Sequence, residues 1–236
     1  METSNLVLIT KKIYNSGQYF FILKTLRDIL GIKKERNLYR IINKLIKAGV
    51  LIKVEKNKYL LKDAKIEDFS LANFLYQHSY VSFESALNFY GILSQFPYEI
   101  TSITTKKSAK KEFQGKIFTY AQTKKNLFFG YQKTENYLIA YPEKALLDQL
   151  YFNSKGLKTL NLDEYDLKFI KISRLKEYLK KYPRNKQFKK AVELFRAKRE
   201  TRFLSEAKGS YFERSEKQGS ERSERFLFRA KREKRF

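Results

Sequence analysis

Apolar residues recur at helical spacing three times in the first fifty positions. Leu6, Ile9 and Ile13 form one stripe, followed by Gly17; Ile22, Leu26, Ile29 and Leu30 form a second, followed by Gly31; Leu38, Ile41, Ile42 and Leu45 form a third. Residues three and four apart share one face of a helix, and a glycine just past such a stripe supplies the left-handed turn that ends it. The pattern therefore predicts three helices. Behind the third the period changes. "VLIKV" and "KYLL" are runs of strand-forming residues on either side of the turn "EKNK", which predicts a two-stranded ribbon with Lys56 and Lys58 at its tip.

The face of the third helix opposite its apolar stripe is cationic. Arg36, Asn37, Arg40, Lys44 and Lys47 fall there at helical spacing, and Lys34 stands just before the helix. A solvated charged face is the plainer reading of such a pattern. Two features argue against it. Residues 1–62 carry 14 basic and 4 acidic side chains, and Glu35 is the single acid available on the third helix for the intrahelical pairs that a solvated face uses. Helix, helix, short turn, helix and ribbon is the order of a winged helix-turn-helix. In such a unit the helix after the turn enters the major groove, where Arg and Asn read base edges and Lys neutralises phosphates. Lys34, Arg36, Asn37, Arg40, Lys44, Lys47, Lys56 and Lys58 are the expected DNA-binding residues.

Residues 63–68 are polar enough to form a linker, and the segment 69–195 reads as a second, mixed domain. "FSLANFLYQHS" and "SFESALNFYG" predict helices, the latter begun by Ser82 as a cap and ended at Gly91. "YEITSITT", "KIFTYAQT", "LFFGYQ" and "NYLIAY" are β-branched and aromatic runs of strand length, which predict a small, mainly antiparallel sheet. "PEKALLDQLYF" predicts a helix opened by Pro142 and Glu143, and "SRLKEYLKKY", stopped by Pro183, and "NKQFKKAVELF" predict two more. The fold class expected is α+β.

Charge narrows the partner. The chain has 50 Lys and Arg against 25 Asp and Glu, a formal net charge of +25. Such a surplus points to a polyanion, and the basic helix face makes double-stranded DNA the first candidate. A third-ranked reading, an RNA-binding or nuclease-like protein, rests on the basic stretch "TTKKSAKKEF". No stretch approaches the roughly 20 apolar residues that cross a bilayer, and the N-terminus lacks a signal pattern. No membrane partner is expected. The chain contains no Cys and one His, His78, which removes thiolate nucleophiles and Cys/His zinc sites and suits a reducing, cytoplasmic setting.

Signals of catalysis are weak. Glu84, Glu99, Glu143 and Asp148 are the carboxylates available for acid–base or metal work in the second domain, but no spacing ties two of them together. Helix-end and solvent roles account for all four. Gly-rich phosphate loops and the G-x-S-x-G elbow are absent, and His78 lies in no triad pattern. The expectation is a protein that is not an enzyme and has no catalytic residue, metal or cofactor.

The cation chemistry changes near residue 196. Before that point Lys outnumbers Arg 31 to 5, and from it onward the ratio is 5 to 9. "LFRAKRE" occurs at Leu194 to Glu200 and again at Leu227 to Glu233, and "ERSEKQGSERSER" has little to bury. Residues 196–236 are expected to be a low-complexity basic tail, disordered or a frayed helix. Its abrupt composition is what a change of reading frame or readthrough into a repeat would leave.

Four segments carry a family resemblance. "YVSFESALNFYG" (Tyr80 to Gly91), "ITSITTKK" (Ile100 to Lys107), "LFFGY" (Leu127 to Tyr131) and "YPEKALLDQLYF" (Tyr141 to Phe152) resemble, in order, successive signatures of the AbiEi family. AbiEi proteins are antitoxins of bacterial type IV toxin–antitoxin and abortive-infection systems. With the winged unit the resemblance covers about residues 5–195 and gives out near Phe195. It implies an N-terminal domain that represses the protein's own operon at inverted repeats, and a C-terminal domain that counters a nucleotidyltransferase-like toxin. Neutralisation in that arrangement need not involve a stable complex, so no toxin-binding residue is assigned. The alternative is a general winged-helix regulator with a ligand-sensing second domain.

Overall fold

The computed structural model describes residues 2–183 and 185–201. The expected tail from residue 202 onward lies outside the described residues. The chain divides into two compact units, one made of residues 1–149 and 168–182, the other of residues 150–167 and those from 183 on. The architecture is α+β. Residues 1–62, 63–68 and 69–149 all belong to the first unit.

The three N-terminal stripes become α1 (Glu2–Asn15), α2 (Leu23–Leu30) and α3 (Glu35–Lys47). Gly31 takes the left-handed conformation, φ 68°, and its N–H donates to the Arg27 carbonyl, closing α2 as its sequence position predicts. Two strands follow, β2 (Leu51–Glu55) and β3 (Lys58–Leu61). The ribbon is not two-stranded. Residues Phe20–Ile22 form a further strand, β1, that pairs antiparallel with β3, with Phe21 opposite Tyr59, to give the order β1-β3-β2. Ile13, Phe21, Leu26, Leu38, Ile42, Leu45, Leu51 and Tyr59 make a shared core, drawn from the helices and the sheet. Burying a large apolar side chain contributes about 1.5–3 kcal/mol, so this cluster is large enough to hold the element order together.

The sheet packs onward. The Phe20 ring lies 4.8 Å from that of Phe74 near the end of α4 (Asp68–Leu75), and Tyr120 donates to the Ala72 carbonyl at 2.7 Å. The remaining strands are β4 (Ser79–Val81), β5 (Glu99–Thr104), β6 (Ala109–Phe113), β7 (Lys116–Gln122), β8 (Tyr131–Lys133) and β9 (Leu138–Ala140), in the order β6-β7-β5-β4-β9-β8. The sheet is antiparallel at three of its five pairings, as expected of a mainly antiparallel sheet, and parallel at two. β5 and β7 are parallel through six register pairs from Glu99↔Ile117 to Thr104↔Gln122, and β4 and β9 are parallel at Val81↔Ile139. For β5 and β7 the reason is β6, a polar strand of alternately half-buried and exposed residues, which turns the chain once more before β7 and takes the edge. Its exposed Lys110 suits an edge, where charge discourages pairing with another chain.

Against this sheet come α5 (Phe83–Phe89) and, through Asp148 to Tyr80, the first two turns of α6 (Pro142–Asn153); α7 (Ile172–Leu179), which ends ahead of Pro183 as expected, is tied to the start of α6 by Lys171 N and Glu143. Ser82 sits at the N-terminal cap position of α5 but makes no side-chain cap hydrogen bond. In the second unit, residues 186–201 form one helix running through Phe195 without a break. Its start is capped by Asn185, whose Oδ1 accepts from Phe188 N at 2.8 Å, and the Phe188 ring meets Tyr151 edge-on at 5.7 Å.

Candidate nucleic-acid interface

Helix α3 turns Leu38, Ile42 and Leu45 inward and leaves Arg36, Asn37, Arg40, Asn43 and Lys47 exposed, with Lys34 exposed at its start. Arg36, Arg40, Asn43 and Lys47 follow one another at i, i+4, i+7 and i+11. They form a single stripe on the side away from the core. Among the described residues no carboxylate forms an ion pair with Lys34, Arg36, Arg40, Lys47 or Lys56. Lys44 flanks the stripe and is half-buried. Asn43 was missed by the sequence reading although it lies on the same stripe, because its neighbours in sequence are apolar and basic rather than grouped.

The turn between β2 and β3 is held from two sides. Asn57 adopts a left-handed φ of 61°, which asparagine tolerates better than most residues. Its Oδ1 accepts from the Tyr39 hydroxyl of α3 at 2.9 Å, and its carbonyl accepts from Leu23 N at the start of α2 at 3.1 Å. Lys56 remains exposed at the tip, and Lys53 is exposed on β2. Lys58 does not share the tip. Its ammonium donates to Glu55 at 2.9 Å and to the Leu75 carbonyl at 2.5 Å and lies over the Phe74 ring, because the end of α4 leaves a carbonyl beside the first residue of β3. The expectation that Lys58 reaches DNA is corrected accordingly. Glu55 is held by Lys58 and Lys111 together, and although burial raises its pKa, these two lysines bring it below its ordinary value. Lys111 thus joins β6 to the ribbon, with Lys106 and Lys111 both over the Tyr76 ring.

A second polar cluster is wholly buried. Lys144 and Asp148, one turn apart on α6, form an ion pair with side chains 0% and 1% exposed. The Tyr182 hydroxyl bridges them, receiving a hydrogen bond from Lys144 Nζ at 2.8 Å and donating to Asp148 Oδ1 at 2.6 Å. On the other carboxylate oxygen, Asp148 accepts from Ser82 Oγ at 2.9 Å and from the Tyr80 hydroxyl at 3.2 Å. The Lys144 ammonium lies 4.9 Å from the Phe129 ring centroid and 5.1 Å from that of Tyr182. Burial pushes the Lys144 ammonium below its ordinary pKa while Asp148 opposes that shift; burial, with Asp148 adding to it, pushes Tyr80 well above its own. Gly130, φ 71°, is required here, since a Cβ would stand 3.1 Å from Lys144 Cγ and from Tyr178 Cε2.

The four carboxylates considered for catalysis separate. Glu84 accepts from Gln149 at 3.0 Å and Glu99 pairs with Lys110 at 3.0 Å. Glu143 stands in the first turn of α6, the helix-end place expected for it, but it is buried, and so is Asp148, which corrects a solvent role for Asp148. Glu143 Oε1 accepts from Lys171 N, at the start of α7, at 2.8 Å, and Arg174 stands 3.6 Å from its other oxygen. Among the described residues no group of three or more His, Asp or Glu side chains is placed to hold a metal ion, and no helix is long and apolar enough to cross a membrane. No family model matches the chain, and no curated protein matches it.

Proposed function

We propose that the chain is an antitoxin of the AbiEi type and the repressor of its own operon, binding double-stranded DNA through residues 1–62 as a winged helix-turn-helix. The observation that carries this reading is the α3 stripe: four polar or cationic side chains, Arg36, Arg40, Asn43 and Lys47, exposed at helical spacing opposite a buried apolar face. A helix in the major groove needs such a stripe, with Arg and Asn offering paired donors and acceptors to base edges. The wing supplies Lys53 and Lys56 for phosphates. Support for the antitoxin half is the resemblance of the four segments in order. Three of them, through Tyr80 and Ser82, Phe129, and Lys144 and Asp148, also meet at the buried cluster.

On this reading the protein is cytoplasmic, acts without catalysis or cofactor, and has as functional partner a nucleotidyltransferase-like toxin encoded beside it. Growth of cells co-expressing the chain with the adjacent gene tests the antitoxin half, and gel shifts with the upstream promoter region test the repressor half. Rescue of growth together with promoter-specific binding is the expected result. Promoter binding without any toxic neighbour selects the second reading, a winged-helix regulator with a ligand-sensing domain.

A further inference from the structure

Tyr39 lies on the flank of α3, between the exposed stripe and the core, and its hydroxyl donates to Asn57 at the turn of the ribbon. That bond is one of three restraints on the turn. The others are the left-handed backbone at Asn57 and the hydrogen bond from Leu23 N to its carbonyl. Both of those fix the base of the turn to itself and to α2. The Tyr39 hydroxyl joins it by a hydrogen bond to the helix that carries Arg36, Arg40 and Asn43.

We propose that Tyr39 is a positioning residue for DNA binding: its hydrogen bond to Asn57 sets the exposed Lys56 at a fixed place relative to the α3 stripe, so that helix and wing engage the duplex as one rigid surface. The proposal rests on the DNA-binding reading given above. Its physical basis is the cost of ordering a surface on association. A wing already fixed before contact loses less conformational freedom when it meets a phosphate, and a free one loses more. A two-residue turn carrying a long, flexible lysine is where such fixing has most effect.

Tyr39→Phe removes the hydroxyl and leaves the ring, so the half-buried packing on α3 is kept. Binding is measured by fluorescence anisotropy on the chain's own upstream promoter duplex and on a scrambled duplex, across a salt series, for wild type, Tyr39→Phe, Lys56→Ala and the double variant. Loss of one net hydrogen bond corresponds to roughly a two- to tenfold weakening. The expected result is a loss of that size for Tyr39→Phe, a shallower salt dependence, and a smaller effect of Lys56→Ala in the Tyr39→Phe background than in wild type. Additive effects of the two substitutions, wild-type affinity in Tyr39→Phe, or no effect of Lys56→Ala on a wild type that binds its promoter each overturn the proposal. Failure of the DNA-binding reading itself is separate and visible: wild type then shows no preference for promoter over scrambled duplex. A thermal melt of Tyr39→Phe showing the variant fully folded at the assay temperature assigns the loss to positioning, and a loss of affinity seen only where the variant has begun to unfold overturns the proposal.

Discussion

Lys144 reaches Asp148 across one turn of α6, and neither side chain is exposed to solvent. Every lone-pair direction of the carboxylate that the cluster addresses is met by a donor, from Lys144, Tyr182, Ser82 and Tyr80. A buried ion pair so completed is tolerated, but it becomes a heavy liability when one partner is removed.

Asp148→Leu is therefore expected to destabilise the protein by about 3–5 kcal/mol, because it leaves the Lys144 charge buried without compensation. The double variant Lys144→Met, Asp148→Leu is expected to recover part of that loss. Tyr182→Phe, which removes one bridging hydroxyl, is expected to cost about 1–3 kcal/mol. Urea unfolding of the four proteins decides the ranking, and a double variant no better than Asp148→Leu alone contradicts it.

Acid should loosen the ribbon where Glu55 meets Lys111 and Lys58. The pKa of Glu55 in the folded protein lies below its ordinary 4.5, so its contribution to stability is present above that value and is lost as the pH falls through the lowered one. Glu55→Gln is expected to be less stable than wild type at pH 7 and to converge on it once the pH has fallen below that lowered value. Parallel pH profiles for the two proteins refute this assignment.

For DNA, Arg40→Ala and Asn43→Ala should each lose about 1–3 kcal/mol on the preferred site and relax discrimination at one base position. Lys56→Ala should weaken binding evenly across sequences and lower the salt slope by about one. Lys58→Ala should instead lower stability and leave the salt slope as it is, since that ammonium is bound to Glu55 and to the Leu75 carbonyl. Anisotropy titrations at several salt concentrations separate these signatures.

A fragment of residues 1–65 contains all of the buried core shared by α1–α3 and β1–β3 and should fold. It should be less stable than the same segment within the chain, because Phe20 loses the Phe74 ring and Lys58 loses the Leu75 carbonyl. Comparison of its thermal midpoint with that of Phe74→Ala in the full chain checks the size of this effect.

The helices of the N-terminal region were legible because each repeats its apolar residues every third or fourth position over at least two turns. β1 and β4 were not, since three residues are too short to show alternation, and "FFI" runs directly into α2 while "SYV" stands one residue ahead of α5. β6, "AKKEF", carries mostly edge-strand charge and has no apolar face to betray it. The buried cluster was missed for another reason. Lys and Asp four apart on a helix are the usual mark of a solvated face. The signal that argued otherwise was α6 itself, where Tyr151 and Phe152 fall at helical spacing on the same side as Lys144 and Asp148 while Ala145, Leu146, Leu147 and Leu150 take the rest, so that no face of the helix is wholly polar. Ser82 was read as a cap from its position, and only the fold shows its hydroxyl turned to Asp148.

The strand order also sets a timetable. β1, β2 and β3 find their partners within the first sixty-odd residues, so that sheet can close while the rest of the chain is still on the ribosome. β4 cannot. It lies between β5 and β9, and Val81 waits for Ile139, so one side of β4 stays unpaired until nearly three fifths of the sequence has emerged. During that interval Tyr80 lacks the Phe128 and Tyr131 rings that pack on it in the finished fold, and slow translation or a truncated message would expose it to chaperones and proteases while the three-stranded sheet is already complete.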